Sequence, residues 1–188
     1  MTDLLQSHPN LALLALDQMS LYYQATLTRV WAPVGQTPIV RLHPQRDHIH
    51  FYGALELRTG REIALPAEEQ TSLVTADFIR ILLLLYPTQP VLLLLDRAPW
   101  HFGDEIRLLF AENADRLDVL YFPPACPDLN PQEHVWSQAR DAISHNHAYP
   151  AFETLIDDFE AYLNETPFDT NFMEKYAPLH LGDYANPI

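Results

Sequence analysis

Two short apolar runs, each followed at once by an aspartate, constrain the fold of this chain more than any other feature. Residues 11–16 precede Asp17, and residues 91–95 precede Asp96. Runs this apolar are typical of strands that are buried on both faces and lie in the middle of a sheet covered by helices. We therefore expect an α/β fold with both aspartates at strand ends, which is where open α/β sheets bind their ligands.

A third acid lies at a predicted helix start. Asn130 is a good N-cap, Pro131 suits the first helical position, and Glu133 falls three positions after the cap. Taken singly, Glu133 could serve only in a capping box, and each aspartate only as a turn former. Taken together, two carboxylates at strand ends and one on a helix are typical of a divalent-metal site that cleaves phosphodiesters.

The apolar periodicity also predicts the order of the elements. Strands are expected over residues 11–16, 22–30, 39–42, 49–57, 91–95 and 119–122, with a type I turn over residues 32–35. Helices are expected over residues 71–85, 104–114 and 152–163, and from Asn130 onward. With 188 residues, 48% of them hydrophobic, the chain can bury a core as one domain and is not expected to be disordered.

Cysteine content and the length of the apolar runs limit the compartment. The single cysteine, Cys126, excludes an internal disulfide and a zinc site built on paired cysteines, and it fits a reducing compartment. The N-terminus lacks the pattern of a signal peptide, and the apolar runs on either side of Pro87 and Pro90 are too short to span a bilayer. We expect a cytoplasmic protein.

Four sequence blocks resemble the DDE transposases of bacterial insertion sequences, in the branch related to the mariner-like elements. The blocks are Leu-Asp at 16–17, Trp-Ala-Pro-Val-Gly-Gln-Thr-Pro at 31–38, Leu-Asp-Arg-Ala-Pro-Trp-His at 95–101, and Phe-Pro-Pro-Ala-Cys-Pro-Asp-Leu-Asn-Pro-Gln-Glu at 122–133. In order and spacing they cover about residues 11–145. The proline-rich block that runs into Asn-Pro-x-Glu is the most specific of the four.

The resemblance implies a fold, a site and an activity. The fold would be an RNase H-like, mixed five-stranded sheet flanked by helices, with a catalytic domain over residues 1–166 and an irregular tail over residues 167–188. Asp17, Asp96 and Glu133 would be the catalytic triad and the ligands of two Mg²⁺ or Mn²⁺ ions. The activity would be DNA strand cleavage and strand transfer on double-stranded DNA, at transposon ends and target, by a homodimer associated with the nucleoid.

The chain departs from the family at two positions beside the triad. Gln18 stands where the family usually has an acid, and Arg97 where it usually has asparagine. Arg97 could compete with a metal at Asp96, or point away and hold a DNA phosphate. These departures leave two alternatives open, namely an inactive RNase H-like scaffold that binds a partner or DNA, and a nuclease of the same fold that does not transpose.

Three further residues are candidates for contact with DNA or for support of the triad. His101 matches a family histidine and could orient a water, hold a phosphate or cap the next helix. His134 follows Glu133 and points about 100° around the helix, which favours packing beside the site. Trp100 could stack on a base, although core or hinge packing is the simpler interpretation.

The negative net charge indicates that most of the affinity for DNA is supplied by something other than this chain. The formal charge is −14, and residues 141–188 carry nine acids against Lys175 alone, a net charge of −8. This sign is unfavourable for a surface that approaches DNA phosphates. Only 16 residues precede Asp17, too few for the helix-turn-helix domain that family members carry there. We therefore expect that domain to be absent from the chain and DNA reading to be supplied from elsewhere, for example by a separately encoded helix-turn-helix subunit.

Overall fold

The computed structural model of the chain describes residues 8–36, 39–40, 45–124 and 129–169. The strands are β1 (Ala12–Tyr22), β2 (His48–Glu56), β3 (Arg61–Ala67), β4 (Val91–Leu95) and β5 (Leu117–Tyr121). The α-helices are α1 (Ser72–Leu85), α2 (Asp104–Glu112), α3 (Pro131–Ala139) and α4 (Phe152–Glu165). A 3-10 turn covers Pro99–His101, and a π-helical turn, Arg140–Ser144, extends α3. No helix in these ranges is both long and apolar enough to cross a membrane.

The five strands form one mixed sheet in the order β3-β2-β1-β4-β5. Strand β1 pairs in parallel with β4, which pairs in parallel with β5, whereas β2 runs antiparallel to both β1 and β3. Helices cover both faces of this sheet. The predicted α/β fold with an RNase H-like, mixed five-stranded sheet is therefore confirmed.

Alternation along β1 divides the apolar side chains between two cores. Leu13, Ala15 and Met19 pack with α3 and α4 on one face, while Leu14 and Leu16 pack with α1 and α2 on the other. Each of these leucines is fully buried, which contributes roughly 1.5–3 kcal/mol per side chain. The central strands are thus buried on both faces, as the two apolar runs predict.

Asp17 does not lie at a strand end, so that prediction is wrong in detail. It lies inside β1, because the strand continues along β2 as far as Tyr22. Strand β4, however, pairs with β1 only over Ala12–Ala15 and ends at Leu95. Asp17 therefore emerges just beyond the end of β4, beside the aspartate that follows that strand.

The predicted strand over residues 22–30 is wrong. Residues 23–36 form no regular element after β1, and Ile39 and Val40 form none either, while residues 41–42 of the predicted 39–42 strand lie outside the described residues. The predicted turn is shifted by one residue, since the amide of Gln36 donates to the carbonyl of Pro33 at 3.0 Å. Gly35 has φ +82° there, which is the conformation a type II turn requires at its third position.

Strand β3 was not predicted, because Glu62 and Pro66 interrupt its apolar pattern. An edge strand tolerates proline, since one side of its backbone has no strand partner to bond. The chain after α4 returns to this strand: Pro167 bridges to Arg61, and the buried Phe168 donates its amide to Gly60 at 2.8 Å. The predicted irregular tail therefore begins with an anchored segment, and residues 170–188 lie outside the described residues.

Candidate active site

A cavity of about 640 Å³ opens at the end of the sheet where β1 runs past β4. Asp17 enters it from β1, Asp96 from the residue after β4, and Glu133 from the first turn of α3. The three carboxylates of the predicted triad, which come from three separate elements, thus line the same cavity. Gln18, Arg97 and Trp100 also line it, and His134 does not.

Asp17 is the most buried of the three acids, with 7% of its surface exposed. Burial raises its pKa to about 7, and the negative charges of Asp96 and Glu133 add to that rise. The amide of Asn130 donates to its Oδ2 at 3.0 Å. The indole nitrogen of the buried Trp136 lies near enough to oppose the rise in pKa, yet it has no hydrogen-bond partner of good geometry among the described residues. A cation in the cavity would offset the repulsion between Asp17 and the other two carboxylates.

Asp96 is half-buried and strongly hydrogen-bonded on one oxygen. Its Oδ1 accepts from the amide of Ala98 at 2.9 Å and lies 2.9 Å from Nδ1 of His101. The hydrogen bond from His101 is the largest cause that holds the pKa of Asp96 below its ordinary value. Asp96 is therefore ionised beside an Asp17 that holds its proton more tightly.

His101 contacts Asp96 through its Nδ1 and does not line the cavity. Its side chain is completely buried, and its Nε2 lies 3.1 Å from Nε2 of Gln18. Gln18 in turn accepts from the indole of Trp100 at 2.6 Å. Of the predicted roles, contact with a water or phosphate in the cavity is thus not what the structure shows for His101. Gln18 is thus the hydrogen-bond partner of His101, and Trp100 is the partner of Gln18. Both Gln18 and Trp100 also line the cavity.

Arg97 does not pair with Asp96. Its guanidinium lies over the ring of Tyr121, 5.8 Å from the ring centroid, while Asp96 pairs with His101. Of the two alternatives left open by the sequence, the structure therefore favours an arginine turned away from the triad. A second arginine, Arg140, lines the cavity and was not predicted. It lies seven positions after Glu133, two helical turns further along the same face, and that spacing could have found it.

The start of α3 places Glu133 at the cavity as the sequence predicts. The side chain of Asn130 accepts from the amide of Gln132 at 3.1 Å, and Pro131 occupies the first turn. Val135, Trp136 and Ala139 are buried, while Glu133 is exposed to the cavity. Asn130 thus has two functions, since one side chain both caps the helix and orients Asp17. The sequence pattern indicates only the cap.

A buried polar contact fixes α3 to the sheet. Oε1 of Gln132 accepts from the amide of Leu55 at 3.1 Å, and its Nε2 donates to Oε1 of Glu62 at 2.6 Å. Glu62 is 1% exposed, and burial, which disfavours the charged form, holds its pKa well above the ordinary value. Its Oε2 has no hydrogen-bond partner in the described part of the chain. Sequence reasoning missed both residues because Glu62 lies in the strand that was not predicted.

The donor set of the cavity fits a hard divalent cation. Carboxylate oxygens are the ligands that Mg²⁺ and Mn²⁺ prefer. Within the described ranges, however, no three acidic, histidine or cysteine side chains are arranged closely enough to hold a metal ion as they stand. Glu133 is the exposed member of the triad, so its side chain has the most freedom to move towards Asp17.

Comparison with known proteins assigns the family. Residues 12–156 match the family described as DDE superfamily endonuclease. The chain belongs to this family. The DDE-superfamily match covers all three triad positions and both arginines of the cavity. The resemblance predicted from the sequence is confirmed.

Two relatives and two solved structures extend this finding. The IS630 insertion element uncharacterised 39 kDa protein of Shigella sonnei is 24% identical over 170 residues, which are 90% of this chain and 46% of that protein. Protein y4pE/y4sA of Sinorhizobium fredii is 30% identical over 64 residues, which are 34% and 44%. The chain spans about half the length of these relatives.

The structural matches concern the fold. The Mos1 transposase paired-end complex with left transposon end has a TM-score of 0.63 at 16% identity, covering 87% of this chain and 50% of that chain. The catalytic domain of Mos1 mariner transposase has a TM-score of 0.57 at 12% identity, covering 87% and 74%. The sheet and its helices thus have the same fold as the catalytic domain of Mos1 transposase.

Proposed function

We propose that this DDE domain is the catalytic part of a transposase, which cleaves DNA strands and joins them to a target with the help of divalent cations. The observation that carries the proposal is that Asp17, Asp96 and Glu133 come from three elements and line one cavity in a chain of this family. The rise in the pKa of Asp17, caused by burial and by the other two acids, supports a cluster that gathers cations.

The same three carboxylates are the proposed ligands of two Mg²⁺ or Mn²⁺ ions. When bound, the ions would supply Lewis-acid stabilisation of the attacking and leaving oxygens of a phosphodiester. Asn130 holds Asp17 and His101 holds Asp96, so two of the ligands are oriented before any metal arrives. Structures of the Mos1 mariner paired-end complex with Mn and with Mg support this choice of ions for the family.

Strand cleavage and strand transfer are proposed as two displacements in one site. Water first attacks the phosphorus, the bond to the 3′ oxygen breaks, and a free 3′-OH remains at the element's end. That 3′-OH then attacks a phosphorus of the target strand, whose own 3′ oxygen leaves. Arg97 and Arg140 line the cavity and are the proposed contacts to the DNA phosphates.

The active assembly is proposed to be a homodimer on double-stranded DNA. An exposed apolar segment supports it, because large side chains between β1 and β2 extend into solvent: Leu27, Val30, Trp31, Val34 and Ile39. Trp31 and Val34 are fully exposed. A loss of dimers on sedimentation of a Trp31→Ser, Val34→Ser double variant with DNA would support this assembly, and unchanged dimers would contradict it. Recognition of the DNA ends is assigned to a helix-turn-helix unit, for example one in a separately encoded subunit.

One observation favours a second candidate, a scaffold or non-transposing nuclease of the same fold. The triad carboxylates are not close enough to hold a metal ion as they stand. A scaffold would keep this open arrangement when metal and DNA are added, whereas a catalytic domain would bind the ions. Metal-dependent nicking without joining would indicate the nuclease.

The test is nicking of supercoiled DNA by the whole chain with Mg²⁺ or Mn²⁺. We expect nicking by the wild type, lowered at least about 100-fold by Glu133→Gln. Glu112→Gln changes an exposed glutamate at the end of α2, outside the cavity, and is the matched control that we expect to nick normally. Equal nicking by the Glu133 variant and the wild type would overturn the proposal.

A further inference from the structure

The orientation of the Gln18 amide is determined by its neighbour. The indole nitrogen of Trp100 lies 2.6 Å from the Gln18 side chain, and an indole N–H can only donate. The atom that faces Trp100 must therefore be the amide oxygen, which leaves the amide NH₂ to face Nε2 of His101 at 3.1 Å. Since an amide NH₂ can only donate, Nε2 of His101 must accept.

The other side of the imidazole leads to the same conclusion independently. Nδ1 of His101 lies 2.9 Å from Oδ1 of Asp96 and 3.1 Å from the backbone carbonyl of the same residue. A backbone carbonyl only accepts, so Nδ1 must carry the proton. The two ends of the chain of contacts thus require one and the same arrangement of protons.

We propose that Trp100, Gln18 and His101 form a one-directional series of hydrogen bonds that fixes His101 as the Nδ1–H tautomer and positions Asp96. The Trp100 indole N–H donates to Gln18, the Gln18 amide NH₂ donates to Nε2 of His101, and Nδ1–H of His101 donates to Asp96. All three are positioning residues for Asp96. His101 is completely buried and acts on the cavity through Asp96, while Gln18 and Trp100, which line the cavity wall, act on Asp96 through His101.

The consequence for Asp96 is that its two oxygens are unequal. Oδ1 receives both described donors, the amide of Ala98 and the imidazole of His101. No described contact reaches Oδ2, which is the oxygen left for a metal ion. This last step rests on the proposed function, whereas the tautomer does not. Outer partners that fix a ligand in this way typically account for about 10–100-fold in metal affinity.

The first test is ¹⁵N NMR of the histidine ring nitrogens in the whole chain near neutral pH. We expect His101 to show a protonated Nδ1 and an unprotonated Nε2 even without metal. His145 is an internal reference, because its Nδ1 lies 2.8 Å from Oδ1 of Asp141 but its side chain is 16% exposed, whereas that of His101 is completely buried. An Nε2–H tautomer, or a tautomer mixture like that of an exposed ring, would overturn the proposal.

The second test removes the donor that orients the amide. Trp100→Phe keeps an aromatic ring but releases the Gln18 side chain to rotate, so we expect the His101 signals to shift towards a mixture while those of His145 stay unchanged. A His101 signal that does not move would show that Trp100 does not set the tautomer.

The third test measures the effect on Asp96 by Mn²⁺ titration of Gln18→Met, which keeps the side-chain length but cannot donate. We expect weaker Mn²⁺ binding by about 10-fold or more. Unchanged affinity would overturn the positioning role. If the wild type binds no Mn²⁺, the proposed function fails, and the NMR spectrum still decides the tautomer.

Discussion

Two acids buried under α3, Asp17 and Glu62, carry unusual protonation behaviour. The pKa of Asp17 is raised to about 7 and that of Glu62 lies well above its ordinary value, in both cases chiefly because burial disfavours the charged form. A cation in the cavity would favour the ionised form of Asp17. Glu62 faces Gln132 and has no cation near it among the described contacts, so it is best accommodated as the neutral acid.

Glu62 should therefore reduce stability as the pH rises, and Glu62→Gln should remove that effect. Below the ordinary value of 4.5, folded and unfolded chains both hold the proton, so the residue adds no pH dependence. Above it the unfolded chain releases the proton while the folded chain retains it, which weakens folding by up to about 1.4 kcal/mol per pH unit until the folded pKa is reached. Denaturant unfolding at a series of pH values should show that, above pH 4.5, the free energy of unfolding of Glu62→Gln rises relative to that of the wild type.

The control for this series is Glu68→Gln, which changes an exposed glutamate after β3. Its unfolding free energy should stay close to that of the wild type, because substitutions of this kind on the surface usually change stability by less than about 0.5 kcal/mol. A Glu62→Gln curve that runs parallel to the wild type above pH 4.5 would contradict a buried Glu62 whose pKa is raised.

Asn130 both caps α3 and donates to Asp17, and two substitutions at this position can separate the two roles. Asn130→Ala should lose about 1 kcal/mol of stability, since alanine cannot cap. Asn130→Ser keeps a capping oxygen but is too short to reach Asp17, so it should retain stability while losing metal affinity. Thermal unfolding and Mn²⁺ titration of the two variants provide the comparison. Full metal affinity in the serine variant would show that the contact with Asp17 is incidental.

At the scale of elements, the sequence predicted the strands and helices whose buried faces produce a clear apolar pattern. The all-apolar β4 and the periodic α1 are confirmed, and the cap of α3 is present because Asn130 and Pro131 act locally. Strand β3 was missed because its place at the sheet edge permits Glu62 and Pro66, and the strand predicted over residues 22–30 lacks a partner strand in the described sheet.

The site divides in the same way. The acids Asp17, Asp96 and Glu133 were predicted as a triad, and all three line the cavity. The contacts of Asn130 with Asp17 and of Gln132 with Glu62 were not predicted, because they join side chains 113 and 70 positions apart, and only the folded chain brings them together. Position along a strand or helix can be read locally, whereas these pairings depend on the register of the sheet.

The position of α3 depends on a glycine in β2. A Cβ at Gly53 would overlap Glu62, Gln132 and Trp136, so Gly53→Ala should push α3 away from the sheet and cost about 3 kcal/mol. Metal affinity should fall with it, since α3 carries Glu133. Chemical denaturation and Mn²⁺ titration measure the two effects.

Gly35→Ala is the matched control. Its Cβ would meet no atom within 4 Å, and only the positive φ of +82° opposes it, at a cost of about 1 kcal/mol. Equal losses of stability in the two variants would contradict the close packing of α3 on Gly53.

On the scale of the whole molecule, the negative charge must be reconciled with DNA. The formal net charge is −14, and residues 141–188 contribute −8 of it. The triad concentrates part of this negative charge at the cavity, so bound cations and the arginines there are needed before a phosphate can approach. Arg97 and Arg140 are the arginines that line the cavity.

Arg140→Gln should therefore weaken DNA binding and reduce the slope of its salt dependence by about 1, as expected for one lost phosphate contact. Binding isotherms of a DNA duplex at several salt concentrations give this slope. Arg107→Gln, which changes an exposed arginine paired with Asp104 on α2, should leave the slope unchanged. Identical slopes for the wild type and the Arg140 variant would exclude Arg140 from the DNA contact.

The central claim is that Asp17, Asp96 and Glu133 form one divalent-cation site, and calorimetric titration with Mn²⁺ tests it most directly. The wild type and Asp118→Asn, which changes an exposed acid on β5, should both bind Mn²⁺ with the same affinity. Asp96→Asn should abolish that binding, because it removes one of the three carboxylates that line the cavity. Binding that persists unchanged in Asp96→Asn, or a wild type that takes up no Mn²⁺, would contradict the account.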